Sequence, residues 1–200
     1  MPHTSRLPVA DASDQRGFSL IEMMVAMSIL VIGLLGLAQV FYLGMVNAST
    51  SSANLIAREK AREAIESVHT ARDTRVITWA QIRNVSAPAC LPAWGANLVG
   101  NFNPLARFKT EEHPLLAAGP DGLVATNDDV GQEMTPGPDN TLGTADDVPL
   151  VGFRRQIAIC DVTGNANLRL IAVTISYPGS SAVGLQRRTY TLITYVSSFS

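Results

Sequence analysis

The sequence has few cysteines and histidines, and it lacks several motifs that identify common enzyme classes. It contains two cysteines and three scattered histidines, His3, His69 and His113. No Gly-x-Ser-x-Gly, P-loop or His-Glu-x-x-His pattern occurs, and no Cys-x-x-Cys or cysteine–histidine spacing suggests a zinc site. These absences exclude the classes that such motifs identify, and we predict that the chain is not an enzyme.

Charged side chains are missing from one long stretch near the amino terminus. No charged residue occurs between Glu22 and Arg58, and most residues from 23 to 46 are Leu, Ile, Val, Met, Ala or Gly. An α-helix rises about 1.5 Å per residue, so residues 23–46 would cover roughly 35 Å, more than the ~30 Å apolar thickness of a bilayer. We therefore predict a membrane-spanning helix over residues 18–46.

Glu22 is the exception in this helix. A carboxylate at membrane depth costs free energy, so an acid in such a segment is a functional hypothesis by default. A cut between Gly17 and Phe18 would release an α-amine about one helical turn from Glu22. The amine and the carboxylate would neutralise each other, either within one chain or between staggered chains whose apolar helices pack side by side.

The run Gly-Phe-Ser-Leu-Ile-Glu, followed by a long apolar segment, resembles the class III signal of type IV prepilins and type II secretion pseudopilins. The segment from Ser19 to Ala38 looks most like the minor pilins called PilV. The resemblance implies that a prepilin peptidase, which is also a methyltransferase, cuts after Gly17 and methylates Phe18. It also implies that Glu22, the fifth residue of the mature chain, orders the docking of this subunit with other pilins in a filament.

The same resemblance implies where the chain resides. Residues 1–17 would be a cytoplasmic leader that the peptidase removes. Residues 18–46 would anchor the chain in the inner membrane as a single pass, with the head in the periplasm. We expect a minor pilin that is incorporated into a type IV pilus at the cell surface, or that primes its assembly.

Other interpretations of the amino-terminal segment stay open. A minor pseudopilin of a type II secretion system shares the Gly-Phe site and the acid, and a membrane-anchored calcium-binding surface protein would need only the apolar helix. A secretory signal cut near Val46 or Ala48 is disfavoured, because the apolar cores of signal peptides are about 7–15 residues long. A plain single-pass anchor leaves Gly17 and Glu22 together unexplained.

The helix is predicted to continue beyond the membrane as an amphipathic segment over residues 47–72. The polar run 47–54 either interrupts the helix or marks its exit from lipid. After it, small apolar residues recur at helical spacing and charged residues occupy the other face. The apolar stripe consists of Ala57, Ala61, Ala64, Ile65, Val68 and Ala71. Such a stripe can lie closely on a sheet.

Residues 73–200 are predicted to form one globular head of ordinary domain size. Prolines rule out a long helix in residues 73–110. Three runs of alternating apolar and polar residues, separated by turn-forming residues, predict an antiparallel meander over residues 151–197. The predicted fold class is α+β, with a long amino-terminal α-helix packed on an antiparallel β-sheet meander, which is the plan of a pilin.

Cys90 and Cys160 are predicted to form a disulfide. Both follow a membrane segment, and in an oxidising compartment a single pair of cysteines is more often bonded than free. The bond would close a loop of about seventy residues and would stabilise the fold by roughly 4 kcal/mol on a chain-entropy description.

Residues 110–150 form an acidic loop that contains nine acids and no lysine or arginine. Within it, residues 119–130 recur eighteen positions later as residues 137–148, each with the pattern Gly-Pro-Asp-x-x-x-x-Thr-x-Asp-Asp-Val. Calcium takes six to eight oxygen ligands, and loops rich in Gly and Asp supply them, although the spacing here is not that of an EF-hand. The candidate calcium ligands are Asp121, Asp128, Asp129, Asp139, Asp146 and Asp147. The alternative is that the Pro-Asp segments form turns whose carboxylates are merely solvated, with no cofactor required.

Five arginines fall on the predicted strands. They are Arg154, Arg155, Arg169, Arg187 and Arg188. A basic patch of this kind can bind nucleic-acid phosphates. Arginines on strands are more often simply exposed to solvent at the surface and edges of a sheet. We therefore expect these residues at the surface and predict no nucleic-acid partner.

Overall fold

The computed structural model describes residues 19–179 and 186–199, with the backbone alone for residues 49 and 50. The chain divides into two compact units, Met1–Met45 and Val46–Ser200. The predicted cleavage site between residues 17 and 18 lies outside the described residues, as does most of the turn expected between the last two strands.

Helix α1 (Leu20–Asp73) is the one long helix among the described residues. It contains 54 residues, and the polar run 47–54 does not interrupt it. Its length and apolar composition suffice to cross a membrane. Leu, Met, Ala and Glu are strong helix formers and proline is absent from the whole element, which explains why so long a helix forms.

The helix ends in a Schellman turn, a motif in which a residue with left-handed backbone closes the last turn. Arg75 has φ 59°. The N–H of Val76 donates to the carbonyl of Ala71 at 2.9 Å, and the N–H of Arg75 donates to the carbonyl of Arg72 at 3.0 Å. These bonds satisfy carbonyls at the helix end and turn the chain toward the head.

Nine strands follow α1 in the described residues. They are β1 (Leu98–Gly100), β2 (His113–Pro114), β3 (Leu116–Ala117), β4 (Val130–Gln132), β5 (Met134–Thr135), β6 (Val148–Pro149), β7 (Arg154–Val162), β8 (Asn165–Gly179) and β9 (Gln186–Ser197). Strands β7, β8 and β9 are the predicted antiparallel meander, with Val173 between Ile157 on one side and Leu192 on the other. Strands β1 and β2 pair with the other edge of β7 and complete a five-stranded sheet. The α+β plan is confirmed.

The stretch that we expected to be an acidic loop has some regular structure. Strand β3 pairs with β4, and β5 pairs with β6, in two small two-stranded sheets. Strands of two or three residues are too short to show an alternating pattern, so periodicity did not reveal them.

The second unit is built on the alanine stripe of α1. Ala57, Ala61 and Ala64 are fully buried. They share one hydrophobic core with Ile157 and Val173 of the sheet. Small side chains allow the helix backbone to approach the strands closely, and the burial confirms the predicted stripe.

Part of the other face of the sheet is covered by the segment that carries Cys90. Cys160, Leu170 and Ala172 form a small second core there, and Trp94 packs against it. Cys90 and Cys160 are bonded, with an S–S distance of 2.02 Å, so the predicted disulfide is confirmed. It links this covering segment to β7, the second strand of the sheet.

Candidate functional site

Glu22 lies in the first turn of α1 and is exposed. The N–H of Met23 donates to the carbonyl of Ser19 at 3.1 Å, which places Glu22 among the residues that open the helix. The amino terminus of a helix carries a partial positive charge, which stabilises a carboxylate in the first turn. The predicted cleavage and methylation site, Gly17 and Phe18, lies outside the described residues.

One face of α1 carries Glu22 together with the smallest side chains of the segment. At about 100° per residue, Ala26, Gly33, Gly36 and Gly44 fall within about 40° of the direction of Glu22, and two larger residues, Ile29 and Val40, lie in the same arc. Apart from the adjacent residues and the backbone of the helix itself, no described atom would lie within 4 Å of a Cβ atom built on any of these three glycines. No contact in the described chain therefore requires glycine there. We call Glu22, Ala26 and these three glycines the small-residue face.

The opposite face of the same segment carries large apolar side chains. Met24, Met27, Val31 and Leu35 point about 140–180° away from Glu22, and each is more than half exposed. In lipid, helices associate through faces of small residues, because lipid tails already satisfy large apolar side chains. The small-residue face is therefore the candidate surface for packing against another helix.

The two acidic repeats fold into loops that share a set of internal hydrogen bonds. We call residues 119–130 the first acidic loop and residues 137–148 the second acidic loop. In each loop the aspartates accept hydrogen bonds from backbone amides and from a threonine hydroxyl of the same loop. In the first loop these bonds are Leu123 N to Asp121 Oδ1 (2.8 Å), Ala125 N to Asp129 Oδ2 (2.8 Å) and Thr126 Oγ1 to Asp128 Oδ1 (2.6 Å). In the second they are Thr141 N to Asp139 Oδ1 (2.8 Å), Gly143 N to Asp147 Oδ2 (2.6 Å) and Thr144 Oγ1 to Asp146 Oδ1 (2.6 Å).

The backbone of the two loops repeats as well. The angle φ is positive at Gly122 (71°) and Ala125 (67°), and at the equivalent Asn140 (58°) and Gly143 (92°). Matching left-handed positions and matching hydrogen bonds show that the sequence repeat is also a structural repeat.

Each acidic loop closes through the glycine at its first position. A Cβ atom on Gly119 would lie 2.3 Å from the carbonyl oxygen of Asp128, and one on Gly137 would lie 2.3 Å from the carbonyl oxygen of Asp146. These distances are far below van der Waals contact. The close approach explains why glycine opens both repeats.

The aspartates of the loops are engaged within their own loops. Among the described residues, no three His, Cys, Asp or Glu side chains are placed to hold one metal ion. Hydrogen bonds from the threonine hydroxyls are the largest cause that lowers the pKa of Asp128 and of Asp146 below the ordinary aspartate value. Calcium binding by these residues therefore stays a prediction.

Glu133 lies between the two acidic loops in sequence and makes ion pairs with two other elements of the second unit. Its Oε1 accepts a hydrogen bond from Nη2 of Arg155 at 2.6 Å, and its Oε2 lies 2.9 Å from Nζ of Lys60 on α1. Arg155 is 0 % exposed and Glu133 is 5 % exposed. Burial alone would lower the pKa of Lys60, but the hydrogen bonds and charges of Glu63 and Glu133 outweigh it and raise that pKa. This contact joins the helix, the acidic stretch and β7.

A second cluster of charges surrounds Asp161 at the end of β7. The carboxylate accepts hydrogen bonds from Arg83 at 2.7 Å, from Asn101 at 2.7 Å and from Arg169 at 2.9 Å. The guanidinium of Arg169 also stacks on the ring of Trp79, 4.0 Å from its centroid. Burial alone would raise the pKa of Asp161, but these hydrogen bonds and the two positive charges lower it.

The expectation that the strand arginines lie at the surface is wrong for two of them. Arg155 and Arg169 are buried, and each is paired with a carboxylate. A buried guanidinium must be paired because its desolvation is costly. Alternation along the strands placed both on the core side, but their partners come from distant parts of the chain.

Residues 12–38 match the sequence model of the prokaryotic N-terminal methylation motif. No curated protein sequence and no solved structure gives a significant match to the chain. The motif supports a type IV pilin-like protein and points to a structural subunit rather than an enzyme. It implies processing by a prepilin peptidase and assembly with other pilins, and it is consistent with membrane anchoring before assembly.

Proposed function

We propose that the chain is a minor type IV pilin, cut after Gly17 and then incorporated into a filament or used to prime its assembly. One observation carries the proposal. The methylation motif at residues 12–38 coincides with a helix whose first turn holds an exposed carboxylate, Glu22, beneath a long apolar surface. The motif predicts cleavage after Gly17. The helix is first a membrane anchor and then the surface that packs against other subunits in a filament.

The mechanism depends on charge neutralisation in an apolar interior. Cleavage before Phe18 places a methylated, positively charged amine about one helical turn from Glu22. An unpaired carboxylate among apolar helices is costly, so Glu22 of one subunit pairs with the Phe18 amine of its neighbour and sets the stagger between them. The small-residue face lets the two helices come close enough for this contact.

The first test is the mass of the amino-terminal peptide of protein extracted from membranes. We expect a chain that starts at N-methylated Phe18. Retention of residues 1–17 in cells that form fibres contradicts the proposal. A start at Ser49 supports an ordinary secretory signal instead.

The second test is the substitution Glu22→Ala. Cleavage should still occur, because the cut lies upstream, whereas incorporation into filaments should fall at least about tenfold from the loss of a buried charge pair. Glu59→Ala removes an exposed carboxylate elsewhere on α1 and is the matched control, with normal incorporation. If the Glu22→Ala variant is incorporated as efficiently as the wild-type chain, Glu22 has no part in the mechanism.

A minor pseudopilin of a type II secretion system remains the rival function, because it shares the cleavage site and the acid. The subunits that co-purify with the processed chain separate the two functions. Pilus subunits support the proposal, and pseudopilus subunits support the rival.

We also propose calcium binding by the acidic loops, as a property separate from assembly. The support is the repeated set of three aspartates per loop, together with two buried carboxylate oxygens, Asp121 Oδ2 and Asp147 Oδ1, that have no hydrogen-bond partner. Binding would require the carboxylates to leave some of their present hydrogen bonds. Thermal unfolding with added calcium or with EDTA tests this, and an unchanged midpoint ends the calcium proposal.

A further inference from the structure

The segments that meet where α1 enters the second unit carry basic residues and no acids. Residues 46–58 of the helix contain Arg58, and residues 175–190 contain Arg187 and Arg188, but neither segment contains Asp or Glu. The whole chain has a formal net charge of −2, so these segments differ in sign from the chain as a whole. A surface built from them attracts anions.

Contacts between the helix and the sheet place the start of β9 at this end of the unit. Nδ2 of Asn54 on α1 donates to the hydroxyl of Tyr177 at 2.7 Å, and Tyr177 lies opposite Arg188 in the sheet. Near the other end of the helix, Nη1 of Arg72 donates to the carbonyl of Ser197 at 3.1 Å. Strand β9 therefore runs in the same direction as α1, and its first residues lie where the helix enters.

Arg58 and Arg188 are held in place by contacts that leave their charge unpaired. The guanidinium carbon of Arg58 lies 5.5 Å from the centroid of the Tyr190 ring. A Cβ atom on Gly179 would lie 2.7 Å from Cγ and 3.0 Å from Cδ of Arg188, so the stem of Arg188 crosses this glycine. Gly179 lies opposite Gln186, so the stem extends toward the first residue of β9. Among the residues that the structure describes, neither arginine pairs with a carboxylate.

Arg187 and Arg154 share a single acid on the outer side of the sheet. Oε1 of Glu112 lies 3.8 Å from Nη2 of Arg187, and its Oε2 lies 3.2 Å from Nε of Arg154. The side chains of Arg187 and Arg154 are 50 % and 39 % exposed. Even if Glu59, the exposed neighbour of Arg58 on α1, is counted with Glu112, the arginines outnumber the acids. We call these four arginines the basic end: Arg58, Arg154, Arg187 and Arg188.

The predicted membrane anchor places an anionic surface close to the basic end. The anchor ends at residue 46, and Asn54 lies about 12 Å further along the helix. The headgroup layer of a bilayer extends about 5–7 Å beyond its apolar core, and charges act over about 8 Å at physiological ionic strength. Arginines at the level of Asn54, or closer to residue 46, are therefore within reach of charged headgroups. The covalent link keeps the effective concentration of these headgroups high.

We propose that, before assembly, the basic end binds the phosphate groups of anionic phospholipids in the membrane that holds α1. Guanidinium groups suit this partner, because their planar N–H donors bind phosphate oxygens in pairs. Lipid is favoured over nucleic acid because the anchor itself holds lipid beside these arginines. The inference rests on the proposed function, since it takes residues 18–46 to be a membrane anchor.

The test uses the chain extracted from membranes and reconstituted in lipid vesicles, with a photo-crosslinking amino acid in place of Gln186, an exposed residue beside Arg187. In vesicles with about a third phosphatidylglycerol, we expect at least about fivefold more lipid crosslinks than in phosphatidylcholine alone, and about 1 M salt should remove the difference. Thr74, exposed just after α1, is the control position and should give few lipid crosslinks in either lipid. Equal yields at position 186 in the two kinds of vesicle, or crosslinks to another copy of the chain in place of lipid, overturn the proposal.

Two double variants provide a second measurement. Arg187→Gln/Arg188→Gln should reduce the yield in phosphatidylglycerol vesicles to the level seen with phosphatidylcholine. Arg75→Gln/Arg107→Gln removes the same charge from two other exposed arginines and should keep the wild-type yield. Thermal midpoints equal to that of the wild-type chain show that both variants fold. Equal yields for the two variants overturn the proposal, as does crosslinking of position 186 to an added DNA duplex but not to anionic lipid.

The two proposals fail differently. If the wild-type chain lacks the methylated Phe18 start, the proposed function fails whatever position 186 contacts. If the wild-type chain is processed and incorporated into filaments, and the crosslinks at position 186 do not depend on anionic lipid, the lipid inference alone fails.

Discussion

At the scale of single residues, Arg155 and Glu133 form a buried ion pair in which the guanidinium depends on the carboxylate. Arg155 is fully buried, and two of its nitrogens, Nε and Nη1, have no hydrogen-bond partner. The pair is therefore tolerated only because Glu133 supplies the opposite charge at 2.6 Å. Lys60 supplies a second cation to the same carboxylate.

Glu133→Gln tests this requirement. The substitution keeps the size of the side chain but removes the charge, and it leaves Arg155 buried without a counter-charge. We expect a loss of about 3–5 kcal/mol in the free energy of unfolding, measured by urea titration with tryptophan fluorescence.

The matched control is Glu66→Gln. It removes an exposed carboxylate that pairs with Arg62 at i,i+4, and it should change stability by less than about 0.5 kcal/mol. Equal effects of the two substitutions would show that burial of the Glu133 pair does not matter.

At the scale of elements, the amino-terminal half of α1 has two unlike faces. Large apolar side chains on one side suit lipid, and the small-residue face on the other side permits a close helix neighbour. Outside the helix's own backbone and the adjacent residues, no described atom lies within 4 Å of a Cβ atom built on these glycines, so a larger residue should fit there until another helix approaches.

Gly36→Ile and Ala38→Ile form a matched pair of substitutions. Gly36 is on the small-residue face, and Ala38 points to the opposite side of the same turn. We expect both variants to accumulate normally in membranes. Gly36→Ile alone should be incorporated into filaments several-fold less, as measured by immunoblotting of sheared filaments. An equal loss for the two variants would argue against a one-sided contact.

The charge cluster at the end of β7 links separate elements and makes stability depend on pH. The pKa of Asp161 is lowered in the folded state, so its contribution is fully present above the ordinary aspartate value of about 4. That contribution is lost as the pH falls from about 4 through the lowered value, because protonation abolishes the pairs with Arg83 and Arg169.

The substitution Asp161→Asn tests how much of the loss of stability at acid pH comes from this cluster. The variant should be less stable at pH 7 and should lose less additional stability between pH 5 and pH 2, measured as urea midpoints. Asp73→Asn, at an exposed carboxylate on the last turn of α1, is the control and should follow the wild-type profile. A wild-type profile for Asp161→Asn would exclude the cluster as a source of acid sensitivity.

At the scale of the second unit, one face of the five-stranded sheet is covered, and the other face is covered only in part because the outward side chains of β9 are exposed. The alanine stripe covers one face, and the segment anchored by Cys90 covers part of the other. The disulfide joins positions 70 residues apart, and the acidic stretch lies within the closed loop. It therefore restricts the unfolded chain far more than a short-range bond would.

Reduction of this bond should lower the free energy of unfolding by about 4 kcal/mol on the chain-entropy description. The measurement is the urea midpoint with and without reductant. The double variant Cys90→Ala/Cys160→Ala should have a low midpoint that reductant does not change. A wild-type midpoint that is insensitive to complete reduction would show that the bond adds nothing.

The sequence determined the features that depend on local spacing. Unbroken apolar residues predicted the helix around Glu22, alternation predicted β7 to β9, and helical spacing predicted the buried alanines. The repeat of residues 119–130 at residues 137–148 also folds into two similar loops, because hydrogen bonds between an aspartate and amides two to four residues away need no other part of the chain.

Tertiary structure alone decided what lies beside those elements. It brought Glu133 to Arg155 across 22 residues and Asp161 to Arg83 across 78 residues, and no local pattern encodes such pairs. It also buried Val124 while leaving Leu142 exposed, although both lie in the same local sequence pattern. Local hydrogen bonds follow from neighbours in sequence, whereas burial follows from whichever surface the rest of the chain places against a loop.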